Sequence, residues 1–320
     1  MKICKISRPP LKEVTKKFPQ GRFRIISKRL KVMGHGIQTL NINLLRVPNP
    51  YLAYTLGILS LLFRFRRIRA DVILADNIES GMAAVLVKSI FKVPFIFDFI
   101  DDYSLIARYD GRMPRYHTLK YLERTIPKLA DLVIAHSPET KKFCLDLGIP
   151  DQKLRMIPNG VDTRRFEPGI GNDLTRKKIN PKGDRLVLFL GKINKYYKLE
   201  VVLKAVPYVL KDFPNTRFVF VGDGDYVDHL RELSHELKIE VAVIFTGFLP
   251  DEEIPEIINL SDICVYPLPN DGALAIFEYM ACAKPMVLPR GGTKKMGISE
   301  EIVPEDCALQ VEGSPEGFWF

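Results

Sequence analysis

Cysteine is scarce in this 320-residue chain, and what there is lies scattered: Cys4, Cys144, Cys264, Cys282 and Cys307 form no C-x-x-C pair. Such spacing offers neither a disulfide framework nor a zinc site, and it fits a reducing, cytoplasmic compartment. The five histidines (His35, His117, His136, His229, His235) make no H-E-x-x-H and no i, i+4 pair, so no metal site built on histidine is expected. Tyr51 to Phe63 is apolar but covers 13 residues, short of the roughly 20 that cross a bilayer. Met1 to Ser7 lacks the longer apolar region of a secretory signal and reads as a short strand. Gly222-Asp223-Gly224 is not G-x-G-x-x-G, so a dinucleotide fingerprint is unsupported. Acid is nearly missing from the first 70 residues, which hold 16 Lys and Arg against Glu13 alone.

What is present is the balance of a soluble globular protein, 47% hydrophobic and 27% charged, with length enough for two domains. The net charge of +9 comes from the first segment, because the remaining 250 residues hold 31 Lys and Arg against 37 Asp and Glu. A segment so basic is either a solvated face or faces something anionic, a membrane surface or a nucleic acid. No nucleic-acid motif is recognised, so no nucleic acid is expected as partner. The run Arg64-Phe65-Arg66-Arg67-Ile68-Arg69 after the apolar stretch admits two structures. It is a core helix with a basic exit, or a peripheral element on the inner face of an anionic membrane.

Strand and helix patterns alternate along the chain. Strands are expected at Met1–Ser7, Ile37–Leu44, Ala70–Ala75, Pro94–Phe99, Ala130–Ala135, Arg185–Leu190, Arg217–Val221, Val241–Phe245, Ile263–Tyr266, Met286–Leu288 and Cys307–Val311. Helices are expected at Arg22–Met33, Glu79–Phe91, Leu119–Leu129, from Pro138 with Pro at its first position, Leu199–Leu210, Asp251–Leu260 and Ala273–Ala283. The polar, Gly- and Pro-marked stretch 169–184 reads as a linker between a domain at 1–168 and another at 185–320. The fold class is therefore α/β, with two doubly wound parallel-sheet (Rossmann-like) domains facing across a cleft.

The unit that organises the rest runs from Ser261 to Pro289 as strand, turn, helix, strand. The turn and first helical residues fall at the carboxyl ends of the strands, where open α/β sheets bind ligands. Backbone N–H groups at a helix start favour phosphate, and Glu278 further along could accept hydrogen bonds from sugar or ribose hydroxyls. Read plainly, Phe277, Met280 and Ala281 are a core helix face. Asp98, Asp101 and Asp102 cluster at the end of another strand and serve either the cleft or the N-cap of a following helix. Lys192 and Lys198 flank a strand-to-helix turn, where a cationic pair suits a diphosphate.

Several of these strings together resemble retaining glycosyltransferases of family 4 (glycosyl transferases group 1), which have the GT-B fold. Glu278-Tyr279-Met280-Ala281-Cys282-Ala283-Lys284-Pro285-Met286-Val287 is similar to the family's E-A-M-A-x-G-x-P-V, with Ala283 in place of Gly and Asn270 where the preceding Glu falls. A-D-L-V-I-A-x-S from Ala130, G-I-P from Gly148, and I-P-N-G-V-D-x-x-x-F-x-P from Ile157 resemble the end of its N-terminal domain. Gly222-Asp223-Gly224 matches part of V-G-D-G, and Phe245-Thr246-Gly247 opens a turn that lies near the nucleotide base in the family. Lys192 stands where the family has Arg, Lys198 matches its Lys, and Asp101 matches the Asp of a His-Asp pair whose His is here Ile100. The family's double glycine is represented by Gly21 alone, and its closing helices are absent after Phe320, as in a truncated relative.

The resemblance implies transfer of a sugar, with retention, from a nucleoside-diphosphate sugar to a hydroxyl acceptor, with no cofactor and no metal; the basic first domain suits an acceptor that is lipid-linked or phosphorylated. The resemblance assigns Lys192, Lys198 and Asp101 to catalysis. Glu278, Asn270, Asp271, Gly272, Ala273, Leu274, Gly222 and Gly247 go to the donor, and Gly21, Asp98 and Ser137 to the acceptor side. The alternative is a catalytically inactive truncated relative that binds a nucleotide sugar or a partner.

Overall fold

The computed structural model describes residues 1–7, 22–42, 50–109, 111, 113–169, 179, 184–268, 273–289, 308–312, 314–315 and 318. The positions of Gly21, Asn270, Asp271 and Gly272 lie outside these residues, as does most of 169–184. The chain divides into two compact units, Met1–Pro158 and Asn159–Phe320.

The first unit is a six-stranded sheet in the order β2-β1-β3-β4-β5-β6, parallel throughout. Its strands are β1 (Lys2–Ser7), β2 (Gly36–Asn41), β3 (Val72–Ala75), β4 (Phe95–Phe99), β5 (Leu132–Ala135) and β6 (Leu154–Met156). Helix α1 (Arg22–Val32) joins β1 to β2 in one direction. Helices α2 (Pro50–Ile68), α3 (Ile78–Phe91), α4 (Tyr103–Tyr109), α5 (Met113–Leu129) and α6 (Pro138–Asp146) lie on connections running the other way. Right-handed crossovers therefore place α1 on one face and the others on the opposite face. Strand alternation separates the two cores accordingly. Ile3, Val72 and Leu74 pack with Phe23 and Leu30 of α1. Cys4, Ile6, Ile73 and Ala75 join the larger cluster with Leu61, Phe65, Ala84, Ile126 and Cys144.

Two local readings are sharpened. Ser137 accepts the Thr140 N–H at 3.0 Å and Pro138 opens α6, so the cap was written into the sequence. The alternative that α2 is a core helix holds for one side only. Gly57, Leu61 and Phe65 face inward, while Leu59 and Phe63, two residues out of phase, are exposed. A largely apolar string hides this phase, because composition does not say which side meets water.

The second unit holds β7 (Arg185–Leu190), β8 (Thr216–Val221), β9 (Val243–Gly247), β10 (Ile263–Val265), β11 (Met286–Pro289) and β12 (Ala308–Val311). The order β12-β11-β10-β7-β8-β9, counted from β7, reads 3-2-1-4-5-6 from its far edge, again all parallel. Its helices are α7 (Glu200–Asp212), α8 (Val227–Glu236), α9 (Glu253–Leu260) and α10 (Leu274–Ala281). The sequence order reverses between β7 and β10, which makes the carboxyl ends of those two strands the switch point of the sheet.

Helix α10 ends in a Schellman turn: Lys284 N–H reaches Tyr279 O at 3.0 Å and Ala283 N–H reaches Met280 O at 2.9 Å. This puts Ala283 in the left-handed region at φ 52°, where a Cβ is strained. Ala283→Gly is expected to stabilise the chain by about 0.5–1 kcal/mol, because relief of that strain exceeds the added chain entropy of glycine. Urea melts of the two proteins check this; an unchanged or lower midpoint contradicts it.

Candidate functional site

At the switch point of the second sheet, three loops are stitched by their backbones. Gly191 N–H donates to Val221 O at 3.0 Å, Ile193 N–H to Asp223 O at 3.1 Å, and Gly222 N–H to Gly247 O at 3.0 Å. The loops approach so closely that a Cβ on Gly222 would lie 1.8 Å from Gly191 O, and one on Gly224 would lie 1.8 Å from Ile193 O. Only glycine permits that contact, and Gly222 also needs its φ of +136°. Gly222 is thus a fastening for the segment that carries Lys192, and Gly247 (φ +69°) closes the third loop.

The segment from Gly191 to Lys198 is fixed a second time by aromatic packing. Tyr197 closes a 3-10 turn (Lys195–Tyr197) and meets Tyr266, just past β10, edge to face at 5.9 Å. Phe189 of β7 stacks on Tyr266 at 5.9 Å. Tyr266 is buried, and its hydroxyl is pushed well above the ordinary range by that burial and by the Tyr197 hydroxyl. The turn is therefore anchored between β7 and β10. It leaves Lys192 and Lys198 exposed, with Lys198 in the left-handed region at φ 52°. Asn194, in the same segment, is 5% exposed, and its Oδ1 has no hydrogen-bond partner among the described residues. Neither the tyrosines nor Asn194 was singled out from sequence. An N-x-Y-Y string has no spacing signal of its own.

Helix α10 enters the same region. Its buried Tyr279 hydroxyl accepts the Leu190 N–H at 2.7 Å, at the end of β7. Ala273, the residue before the helix, is half-buried and makes no side-chain cap to the first N–H groups, of which Leu274 carries one. A helix start of this kind favours an anion. Glu278 is half-buried beside the Arg165–Asp251 ion pair (3.1 Å), in which the Arg165 guanidinium also donates to Asp251 O. Arg165 lies in an unassigned position of the V-D-x-x-x-F-x-P string, so its part went unread. The charges that act on Glu278 are those of Arg165 and Asp251.

Burial pushes the Glu278 carboxyl up to about 8; Arg165 opposes the rise and Asp251 adds to it. The folded value exceeds the ordinary 4.5, so the folded chain holds this proton more tightly than the unfolded one. Its contribution to stability is complete below about 4.5 and is lost as pH rises toward about 8. Glu278→Gln is expected to flatten the fall in melting temperature between those pH values. Equal slopes for the two proteins would contradict the burial of that carboxyl.

In the first unit the carboxyl ends of the strands carry a buried charge cluster. Asp98 is 3% exposed and is gripped by Arg22 Nε at 2.9 and 3.2 Å, while an Arg22 terminal nitrogen donates to Ile157 O at 2.6 Å. Burial raises the Asp98 carboxyl, with Arg22 opposing. Lys5 pairs with Asp76 and lies 4.0 Å over the Phe23 ring. Of the three clustered aspartates, Asp102 is the helix cap, accepting the Leu105 N–H at 2.7 Å. Asp101 stays half-buried in the turn before α4, where its charge helps raise the Tyr103 hydroxyl. Ser137 is 1% exposed and engaged in its capping bonds, next to His136, whose Nδ1 lies 3.2 Å from Phe99 O.

Lys192, Lys198, Gly222, Gly247, Ala273 and Leu274 are thus gathered around one sheet end, with Glu278 four residues beyond the start of α10. Asp98, Asp101 and Ser137 belong to the other unit. Such a site can hold an anion through two cations and backbone N–H groups. Among the described residues no group of three or more His, Cys, Asp and Glu is placed to hold a metal ion. Nor is any described helix long and apolar enough to cross a membrane.

Comparison with known proteins bears on this geometry. The family model described as Glycosyl transferases group 1 matches residues 172–311, and that of Glycosyltransferase Family 4 matches 17–165. The chain is 26% identical over 215 residues to an alpha-monoglucosyldiacylglycerol synthase of Streptococcus pneumoniae, covering 65% of this chain and 48% of that protein. It is 28% identical over 201 residues to a GDP-mannose-dependent alpha-(1-6)-phosphatidylinositol monomannoside mannosyltransferase of Mycolicibacterium smegmatis, covering 60% and 51%. The chain therefore spans about half the length of these curated relatives. Among solved structures, Anabaena Alr3699/HepE in complex with UDP and glucose shares the fold, with a TM-score of 0.74 at 17% identity over 99% of this chain and 87% of that one.

Proposed function

Because the chain belongs to the glycosyl transferases group 1 and glycosyltransferase family 4 proteins, with two α/β units of the GT-B kind, we propose that it moves a sugar from a nucleoside-diphosphate sugar onto a hydroxyl acceptor with retention. The observation that carries this is the stitched loop set of the second unit. Gly222 and Gly224 admit the backbone of Gly191–Ile193 at distances no other residue allows. That contact sets the segment bearing Lys192 and Lys198 at the switch point of the sheet. The two lysines hold the diphosphate and offset the charge that grows on it as the bond to the sugar breaks, which is electrostatic stabilisation. Ala273, Leu274 and the following N–H groups border the phosphates with Asn270, Asp271 and Gly272, and Gly222 and Gly247 shape the floor. Glu278 takes the ribose hydroxyls, steadied by Arg165. No cofactor or metal is required for charge stabilisation of this type. Asp101 adds a carboxylate, and Gly21, Asp98 and Ser137 shape the acceptor side.

The names of both relatives contain a lipid, diacylglycerol in one and phosphatidylinositol in the other. Together with the basic first 70 residues, this supports a lipid-linked acceptor and a peripheral position on the cytoplasmic face of a membrane. Asn270 in place of a carboxylate favours a second reading, a nucleotide-sugar-binding relative without transfer. A panel of UDP- and GDP-sugars separates the two. Calorimetric binding with release of free nucleoside diphosphate in the presence of lipid extract supports transfer; binding without release supports the second reading. Absence of binding by every nucleotide sugar overturns both.

A further inference from the structure

The outer surface of the first unit breaks the usual polar pattern over two neighbouring helices. On α2, Leu59 is 57% and Phe63 is 63% exposed, one turn apart. On α3, Met82, Leu86 and Ile90 recur every four residues on the side away from the sheet, Ile90 being 52% exposed. The outward side of α3 thus presents three large apolar residues in line. A surface helix of a globular protein normally presents charge there. The two helices lie side by side on the same face of the sheet, with Phe65 and Phe91 rings 5.2 Å apart between them. The two stripes thus lie on neighbouring helices of one face, and exposed apolar surface of this extent marks a contact site.

The charge around the patch selects the partner. Arg66, Arg67, Arg69 and Lys92 are all exposed where α2 and α3 end. The Arg67 guanidinium lies 4.5 Å over the Phe63 ring, which joins the cationic rim to the apolar centre. The two helices contain a single carboxylate, Glu79, and Arg115 lies 3.8 Å from it. An apolar centre with a positive rim is complementary to a bilayer surface, whose acyl boundary receives the one and whose anionic headgroups receive the other.

We infer that the outer face of α2 and α3 docks this chain on an anionic lipid surface, with Leu59, Phe63, Met82, Leu86 and Ile90 entering the headgroup–acyl boundary and Arg66, Arg67 and Lys92 meeting the phosphates. The inference deepens the lipid-acceptor reading above and rests on it for its purpose, although the surface itself does not depend on transfer.

The test is partition of the full chain onto vesicles of phosphatidylcholine alone or with phosphatidylglycerol. Binding is expected with the anionic vesicles and is expected to weaken with salt. Leu86→Glu with Ile90→Glu should lower partition more than tenfold, from the loss of two buried apolar side chains. Arg66→Gln with Arg67→Gln should lower it about thirtyfold, at roughly fivefold per cation near the surface. Leu86→Trp should show a blue-shifted fluorescence on anionic vesicles only. Equal binding to both vesicle types, variants that bind unchanged, or an unshifted Trp would overturn the docking face. So would a concentration-dependent dimer abolished by the Leu86 and Ile90 changes, since a second copy would then cover it. UDP and GDP calorimetry on the same variants keeps the two readings apart. Vesicle binding lost with nucleotide binding kept is expected of the Glu and Gln variants, whereas a chain that binds vesicles and no nucleotide leaves the face intact and removes the transferase.

Discussion

Replacing Lys192 and Lys198 together by Ala is expected to cost about a hundredfold or more in affinity for a nucleoside diphosphate, read by calorimetry. Each hydrogen bond to a charged group contributes roughly 1.5–3 kcal/mol, and a hundredfold corresponds to about 2.7 kcal/mol. Both lysines are exposed, and Tyr197, Tyr266 and Phe189 pack on one another ring against ring. Alanine is the right replacement at 198. It keeps the side of the backbone map that Lys198 occupies at φ 52° as restricted as before, whereas glycine would loosen the turn and confound the measurement. Whichever of uridine and guanosine matches the bound nucleotide should, without phosphates, be held equally by the wild type and the double variant. Undiminished diphosphate affinity in the variant would remove the lysines from the site and, with them, the electrostatic part of the proposed chemistry.

Arg22→Ala is expected to destabilise the first unit by about 3–5 kcal/mol, the usual consequence of leaving one member of a buried ion pair without its partner. Asp98 is 3% exposed and Arg22 5%, so bulk water has little access to the carboxylate left behind. The Ile157 carbonyl loses its donor as well. Adding Asp98→Asn to Arg22→Ala should recover part of the loss, because a neutral amide tolerates burial better than a carboxylate. Chemical denaturation monitored on the first unit decides the matter. If the single and double variants are equally unstable, the charge of Asp98 is not what Arg22 was holding.

The features legible in the chain were those whose cause is local or whose pattern repeats. Ser137-Pro138 announced a helix start because a capping side chain and a proline act on residues within one turn. The apolar strings at Ile73, Phe97, Val133, Leu188 and Val219 announced buried parallel strands because such strands are covered on both faces. Gly222 and Gly247 were noticed as motif letters. Their physical task, letting one loop backbone rest on another, appears only when the loops are seen together. The Arg22–Asp98 pair was not legible, since its members are 76 positions apart and nothing in either neighbourhood names the other. Arg165 was hidden for the same reason, 86 positions from Asp251. Three-residue β6 and seven-residue α4 were missed because elements so short carry fewer than two full periods of their pattern. The outward phase of Leu59 and Phe63 was missed because most of the residues around them, Ile58, Leu61 and Leu62 among them, are apolar as well.

The place of β7 in the middle of its sheet has a consequence for biogenesis. One neighbour, β8, follows closely, but the other, β10, is preceded by Asp262, whose carboxylate holds the Leu186 N–H from 76 positions away. At roughly 5–20 residues per second on the ribosome, that flank of β7 waits about 4–15 seconds for its partner. Through that interval a strongly apolar strand edge stands open, the kind of edge on which stray chains pair. Of the two pairings that β7 makes, the one with β10 spans the greater stretch of chain, so during synthesis the second sheet cannot close before β10 has been made.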